Sequence, residues 1–351
     1  MSERIVWLDW MKVFAILAVV WGHFFSEGHV YLYVFHVQAF CLISGFLYKK
    51  SPSWSDCLKR VFWNLFLPTV IFSIVMHAEA WLRCLSLGQD YPVSLPWFFG
   101  MLLSGHRWCM GPCWFFYSLM VIRLIMQLLP EKRWVYALVF LFCATATIAL
   151  HHSGLQVSNA NVNALLVMPF FLIGVFLKPL TPHLSPLPPH LSPLLLLVSG
   201  LLVYLCGRWN GDVWMYLAEY GNSYILYIIG GVAGTLMLFF LSQLACTVSH
   251  LSPHTSHLSP HTSHLTPHTS YPSPLSDLVT TLSKGSLLII GLHIIIVRRL
   301  TDLPDRLWLE DLLWSVLILL AFIPVVRLAE RFCPLLIGRQ AQSMSGKKVR
   351  R

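Results

Sequence analysis

Three ionisable residues inside one apolar run are the first candidates for chemistry. The stretch from Trp7 to Phe25, WLDWMKVFAILAVVWGHFF, is long enough to cross a bilayer, yet it holds Asp9, Lys12 and His23. Ionisable groups are costly to place in a spanning helix and by default mark a functional site. At about 100° per residue, the steps from Lys12 to His23 turn through about 1100°, which returns to within about 20° of the same face. Asp9 precedes Lys12 by one helical turn and can pair with it there. A rise of about 1.5 Å per residue separates Lys12 from His23 by roughly 16 Å, so the two attend to opposite ends of one long substrate rather than to each other. The bland alternative is a helix whose polar groups bond only to neighbouring helices.

His36 opens the next apolar run, FHVQAFCLISGFLYKK, across a short loop from His23, so two imidazoles can share one mouth. Such a pair offers a base together with an orienting or oxyanion-stabilising group. Its alternative is two interfacial histidines bonded to loop backbone. Ser44-Gly45, two turns further in, reads as small residues that let helices approach closely rather than as a nucleophile. His293 and Arg123, each within an apolar run, read equally well as inter-helix hydrogen bonders or as parts of a site. Glu219 and Tyr220 precede a later run on the outer side, where they could meet a substrate.

These residues need elements to hold them, and composition says what kind. The chain has 351 residues, of which 56% are hydrophobic and 11% charged, with mean hydropathy +0.67. A soluble domain carries about 25% charged residues. The expected fold class is all-α: a polytopic membrane protein, with runs at about 5–25, 31–48, 60–80, 112–129, 134–150, 162–178, 193–207, 221–244, 283–298 and 308–328 giving about ten spanning helices. An acidic and a basic group inside the first run fit a retained helix better than a cleavable signal peptide.

The distribution of Lys and Arg predicts an orientation with both termini inside. Lys49, Lys50, Lys59, Arg60, Lys132, Arg133, Lys178, Lys284 and the basic tail 339–351 then fall on the inner side. Glu27, Asp90, Asp212 and Glu219 fall outside. Arg298 and Arg299 run against this scheme, and Arg83, Arg107 and Arg208 weaken it. The net charge of +9 is thereby explained by topology and does not point to nucleic acid. Within the outer connection 81–111, SLPWFFGMLLSGHRW reads as an interfacial or re-entrant piece.

Two Pro-rich segments stand on the inner side. The first spans 179–193. The second, 250–274, repeats SPHTSHL, and a proline every seven residues excludes a coiled coil. Its histidines at 254, 257, 261, 264 and 268 could take a transition metal, but an expanded linker inserted between helices is the favoured reading. The nine cysteines show no zinc-ligand spacing, and no metal is expected. Cys109 and Cys113 flank Met-Gly-Pro and could form a disulfide in an oxidising compartment.

The ordered motifs resemble those of the integral-membrane acyltransferase 3 family. Lys12, ten residues and His23 match its basic-x10-His signature, and RIVWLDWMKVFAILAVVWGHFF is similar to its first helix. FHVQAFCLISGFLY resembles its second-helix motif, with Val37-Gln38 where a proline usually follows. CWFFYSLMVIRL, VMPFFLIGVFL and SKGSLLIIGLHIII resemble its later segments in the same order. In CLKRVFWN, Lys59 and Arg60 are adjacent, where the family tends to space a basic pair four residues apart. The resemblance implies an inner-membrane, multi-pass enzyme of the surface-polysaccharide O-acetyltransferase or fucose 4-O-acetylase type. It would take an acyl group, acetyl above all, from cytoplasmic acyl-CoA to a hydroxyl of a cell-envelope glycan, sugar precursor or glycolipid.

On that reading His23, His36 and Asp9 form the catalytic set, with His23 the base that removes the hydroxyl proton. Lys12, Lys59 and Arg60 form the cofactor-binding set that meets the phosphates of coenzyme A, and Asp9 keeps Lys12 charged and oriented. Direct transfer and an acyl-histidine intermediate both remain open. The rival reading is a transporter of a sugar or acyl donor that uses the ionisable stripe as a proton relay, although paired inverted repeats do not show in the helix pattern. Bilayer, acyl-CoA and a carbohydrate or glycolipid are the expected partners; the sequence does not set an oligomeric state.

Overall fold

The computed structural model describes residues 5–25, 27–106, 110–155, 159–179, 191–251, 274–301 and 307–338. The Pro-rich segment between 180 and 190, the His repeat at 252–273, the basic tail, Arg107 and Cys109 lie outside these residues. So, with Cys109, does the expected Cys109–Cys113 pairing. Among the described residues the chain is helical without strands; one isolated bridge joins His106 to Asn159. Among the described residues eight helices are long and apolar enough to cross a membrane, or nine if a bent pair counts as one, against about ten expected.

Helix α1 (Val6–Gly22) is the axis of the molecule. It is 17 residues long and, apart from Asp9 and Lys12, apolar nearly all round, with Ala15, Ile16 and Val20 fully buried, which is the pattern of a helix surrounded by others. The second run is broken. A short α2 (His29–Tyr33) leads into α3 (His36–Phe46), and Phe35 leaves the helical region at φ −140°. No proline makes this break. Instead the Gln38 side chain donates to the Tyr33 carbonyl at 3.2 Å, and His36 Nδ1 bonds to the Leu32 carbonyl at 2.8 Å. Side chains thus satisfy the carbonyls that an interrupted helix leaves bare.

The run expected at 60–80 is longer than foreseen. It comprises α4 (Trp54–Val61), a π-helical turn at Phe62–Phe66 and α5 (Leu67–Ser86), 33 residues in all. Ser53 caps α4 by accepting from the Asp56 amide at 3.1 Å. The apolar piece in the following connection is α6 (Leu95–Ser104), whose Phe98 ring lies 4.2 Å from that of His77. Then come α7 (Trp114–Leu128), α8 (Arg133–Ser153), α9 (Ala160–Leu177), α10 (Leu191–Asn210) and α11 (Tyr224–Leu251). Gly45 in α3 and Gly174 in α9 let these two helices touch backbone to backbone. A Cβ at Gly45 would stand 1.8 Å from the Phe171 carbonyl oxygen, and one at Gly174 would stand 2.0 Å from that of Leu42. Ser44-Gly45 therefore serves close packing, as small residues do between membrane helices.

The run expected at 283–298 is also two helices. Helix α12 (Pro274–Lys284) meets α13 (Ser286–Thr301) at 81°. Gly285 forms the corner, where a Cβ would stand 2.2 Å from Val326 of α14 (Trp308–Phe332). This bend puts Ser283 and His293 against opposite halves of α1, which contacts α12 and α13 together with α3, α11 and α14.

Candidate active site

His23 stands just past the last turn of α1, and its Nδ1 bonds back to the Val19 carbonyl at 2.7 Å. His36 is held in the same manner by Leu32. His293, fully buried within α13, places Nδ1 3.0 Å from the carbonyls of both Ile289 and Ile290. A carbonyl oxygen only accepts, so in each neutral ring the proton sits on Nδ1 and Nε2 keeps its lone pair. The three rings cluster, with centroids 6.3 Å apart for His23–His36 and 4.8 Å for His23–His293. His293 Nε2 has no hydrogen-bond partner. The cluster thus presents proton acceptors. As neutral rings in this tautomer, none of the three donates from Nε2, so an oxyanion-stabilising role for His36 has no support in the geometry.

His23 and His36 open into a cavity of about 760 Å³ with aromatic walls. The Tyr33 ring lies 4.6 Å from that of His36, and Phe25, Trp114 and Trp214 complete much of the lining. Phe25 stacks on Trp214 at 5.9 Å. Glu219 and Tyr220 do not line this cavity; the Tyr220 ring packs on that of His151, 4.4 Å away.

The other half of α1 lines a second cavity, of about 910 Å³. Lys12, Lys49, Arg60, Arg123 and Lys284 all border it, and Lys284 is paired with Glu330 at 2.9 Å. Asp9 lies here too, accepting a 2.5 Å hydrogen bond from Ser283 Oγ. The geometry therefore separates Asp9 from His23 and His36 and gives it to the cation-lined cavity. Lys59 is exposed and does not line the cavity, whereas its neighbour Arg60 does. Tyr48 is buried at the rim with a hydroxyl that has no partner. Burial pushes its phenol up to about 12, so it remains a neutral donor at physiological pH.

Between the two cavities lies a void of about 30 Å³. Phe40, Phe115 and Ile290 border both this void and the Lys12 cavity, while His23, Val37, Pro112 and Trp114 border both it and the His23 cavity. Residues from α1, α3, α7 and α13 thus form a narrow neck, with His23 on its wall.

The spacing along α1 brought Lys12 and His23 to the two cavities without further information. His293 and Arg123 showed only as polar groups in apolar runs, and their partners stand on other helices. Lys49 and Lys284 showed only as loop charges that set topology. Tyr48 gave no signal of its own.

A bundle of membrane-length helices around a polar-threaded central helix defines a multi-pass membrane protein, and a histidine cluster at the end of that helix stands beside its internal cavities. The chain belongs to the acyltransferase 3 family, whose acyltransferase-domain model matches residues 5–329. It is a membrane acyltransferase. Neither the curated proteins nor the solved structures compared with it give a match.

Proposed function

We propose that the protein carries an acyl group, acetyl in the simplest case, from acyl-CoA to a hydroxyl of a carbohydrate or glycolipid acceptor. The observation that supports this most is the neck at His23, a small void that shares walls with a cation-lined cavity and with an aromatic one. Coenzyme A carries several phosphate charges. The Lys12 cavity fits them, because Lys12, Lys49, Arg60 and Arg123 supply charged donors from separate elements. Its size is also that of a site for a sizeable ligand. Asp9, held by Ser283, stands one helical turn from Lys12 and orients that end of α1.

With its headgroup there, the thioester arm reaches along the neck towards His23, roughly 16 Å away along α1. An acceptor hydroxyl enters from the aromatic cavity, where sugar rings stack well on Phe25, Tyr33 and Trp214. His23 Nε2 takes the hydroxyl proton as the oxygen attacks the thioester carbonyl. The C–O bond forms, the C–S bond breaks, and the departing thiolate receives the proton. The Val19 carbonyl holds the His23 ring in place for this, His36 lines the same cavity, and the His293 ring packs on His23. Base catalysis of this kind contributes roughly 10²–10⁴ in rate. The charge bias of the loops supports a cytoplasmic Lys12 end, and on this reading the acyl group crosses the membrane as it is transferred.

The test is label transfer from radiolabelled acetyl-CoA by the full chain in liposomes, offered a panel of cell-envelope glycans. Label on a glycan, lost in His23→Ala with the fold intact, supports the reading. No thioester turnover by the wild type, together with accumulation of unmodified sugar inside sealed vesicles, sinks it in favour of transport.

A further inference from the structure

Arginines at the His23 end run against the charge bias of the other loops, and the reaction just described does not use them. Arg83 stands in the last turn of α5 and Arg298 near the end of α13, and both line the His23 cavity. Their neighbour Arg299 is accounted for, since it donates to Glu79 Oε1 at 2.6 Å and ties α13 to α5. Arg83 and Arg298 form no ion pair among the described residues: Glu79, one turn before Arg83 and beside it in a neighbouring groove, is taken by Arg299, and no Asp or Glu is among the described residues that line this cavity. Arg83 Nε is shielded from solvent and has no hydrogen-bond partner. Arg298 is close enough to His23 and to His77 for its charge to act on both rings.

A shielded guanidinium nitrogen without an acceptor is costly. A bound oxyanion would give Arg83 Nε an acceptor and the exposed Arg298 a counter-charge on the same cavity. Guanidinium groups match phosphate and carboxylate oxygens with paired donors. We propose that Arg83 and Arg298 form an oxyanion subsite of the acceptor cavity, so that the acceptor is a sugar bearing a phosphate or a carboxylate. The inference rests on the reading that this cavity receives the acceptor. The charged group docks at the ends of α5 and α13, the sugar ring lies along the aromatic wall, and one hydroxyl comes to His23. The arginines then discriminate between acceptors and take no part in the chemical step.

The experiment is the thermal stability of the full chain in a phosphate-free detergent, titrated with glucose, glucose 1-phosphate, glucuronate, dioctanoyl phosphatidylglycerol or acetyl-CoA. Wild type is compared with Arg83→Gln, Arg298→Gln and the double variant. One of the two anionic sugars is expected to bind at least about tenfold more tightly than glucose, as charged hydrogen bonds imply. Which one does so tells phosphate from carboxylate. Each single variant weakens that binding about tenfold and the double variant abolishes the preference over glucose. A stabilising shift by acetyl-CoA in the double variant reports that fold and donor cavity are intact. Three results overturn the subsite: no preference over glucose in wild type, a preference that survives in the double variant, or stabilisation by the phosphatidylglycerol alone, which assigns the arginines to lipid headgroups. An anionic-sugar preference with no shift by acetyl-CoA, even in wild type, instead counts against the donor reading and leaves the subsite standing.

Discussion

The cavity at Lys12 is walled by cations from α1, α4, α7 and α12, whereas the cavity at His23 is walled largely by aromatic rings. The two differ less in size, about 910 against about 760 Å³. Under the proposed function each side of the transfer has its own surface chemistry: charged donors for a phosphate-rich carrier, flat apolar faces and two arginines for the acceptor. One helix serves both. About three helical turns separate Lys12 from His23, a length that in the proposed reaction lets a single rigid element fix the donor's headgroup and the reacting atoms relative to each other. A substitution can therefore damage one side and spare the other, and variants should sort by the cavity they line.

The largest effect is expected at the neck. His23→Ala should lower the transfer rate by roughly 10²–10⁴ while acyl-CoA still binds, read by label transfer and by equilibrium binding on the same preparation. Equal activity of this variant and wild type would break the comparison at its centre. On the donor side, Lys12→Ala and Arg123→Gln should each raise the KM for acyl-CoA by roughly ten- to a hundredfold and leave the KM for the acceptor alone, because each removes a charged hydrogen-bond donor from one cavity only. A matching rise in acceptor KM would mean that the cavities are not separate sites. His293→Ala should reduce kcat by about tenfold with donor KM unchanged, since its ring packs on His23 and leaves the Lys12 cavity untouched.

Smaller still is the Asp9–Ser283 contact. Asp9→Asn retains an oxygen that accepts from Ser283, so it should cost less stability than Asp9→Ala, which leaves a buried hydroxyl unpaired at about 1–3 kcal/mol. Unfolding in detergent measures the order, and an equal loss would show that charge rather than the hydrogen bond matters. Lys59→Ala should stay within about twofold of wild type in every kinetic constant, since the side chain is exposed and away from the cavity lining. A large change in donor KM would return Lys59 to the coenzyme site.

The legible part of the site is the part that lies on one element. Lys12 and His23 are related by the period of a single helix, and period is local, so their shared stripe and their separation follow from spacing alone. The helix content, the membrane-length runs, the close-packing role of Ser44-Gly45 and the family motifs were legible for the same reason. His36 also reads correctly as a neighbour of His23, because the loop between them is short. Asp9 shows where that reasoning stops. Its spacing from Lys12 was right, but its place in a catalytic set with the two histidines was an inference across the length of the helix, and the structure puts it at the far end.

What the amino-acid sequence determined was therefore the inventory: apolar runs of spanning length, an ionisable stripe on the first of them, and a charge bias among loops. Tertiary structure alone decided the meetings. Ser283 reaches Asp9 across 274 positions, His293 joins His23 from α13, and Lys49, Arg123 and Lys284 turn from topology and packing into cavity walls. Each of these depends on where helices break and cross. At the corner, Gly285 lets Val326 pack where a side chain would not fit, and at the break before His36 the Gln38 side chain satisfies the Tyr33 carbonyl. Such corners are set by contacts between distant segments, which periodicity within one helix does not encode.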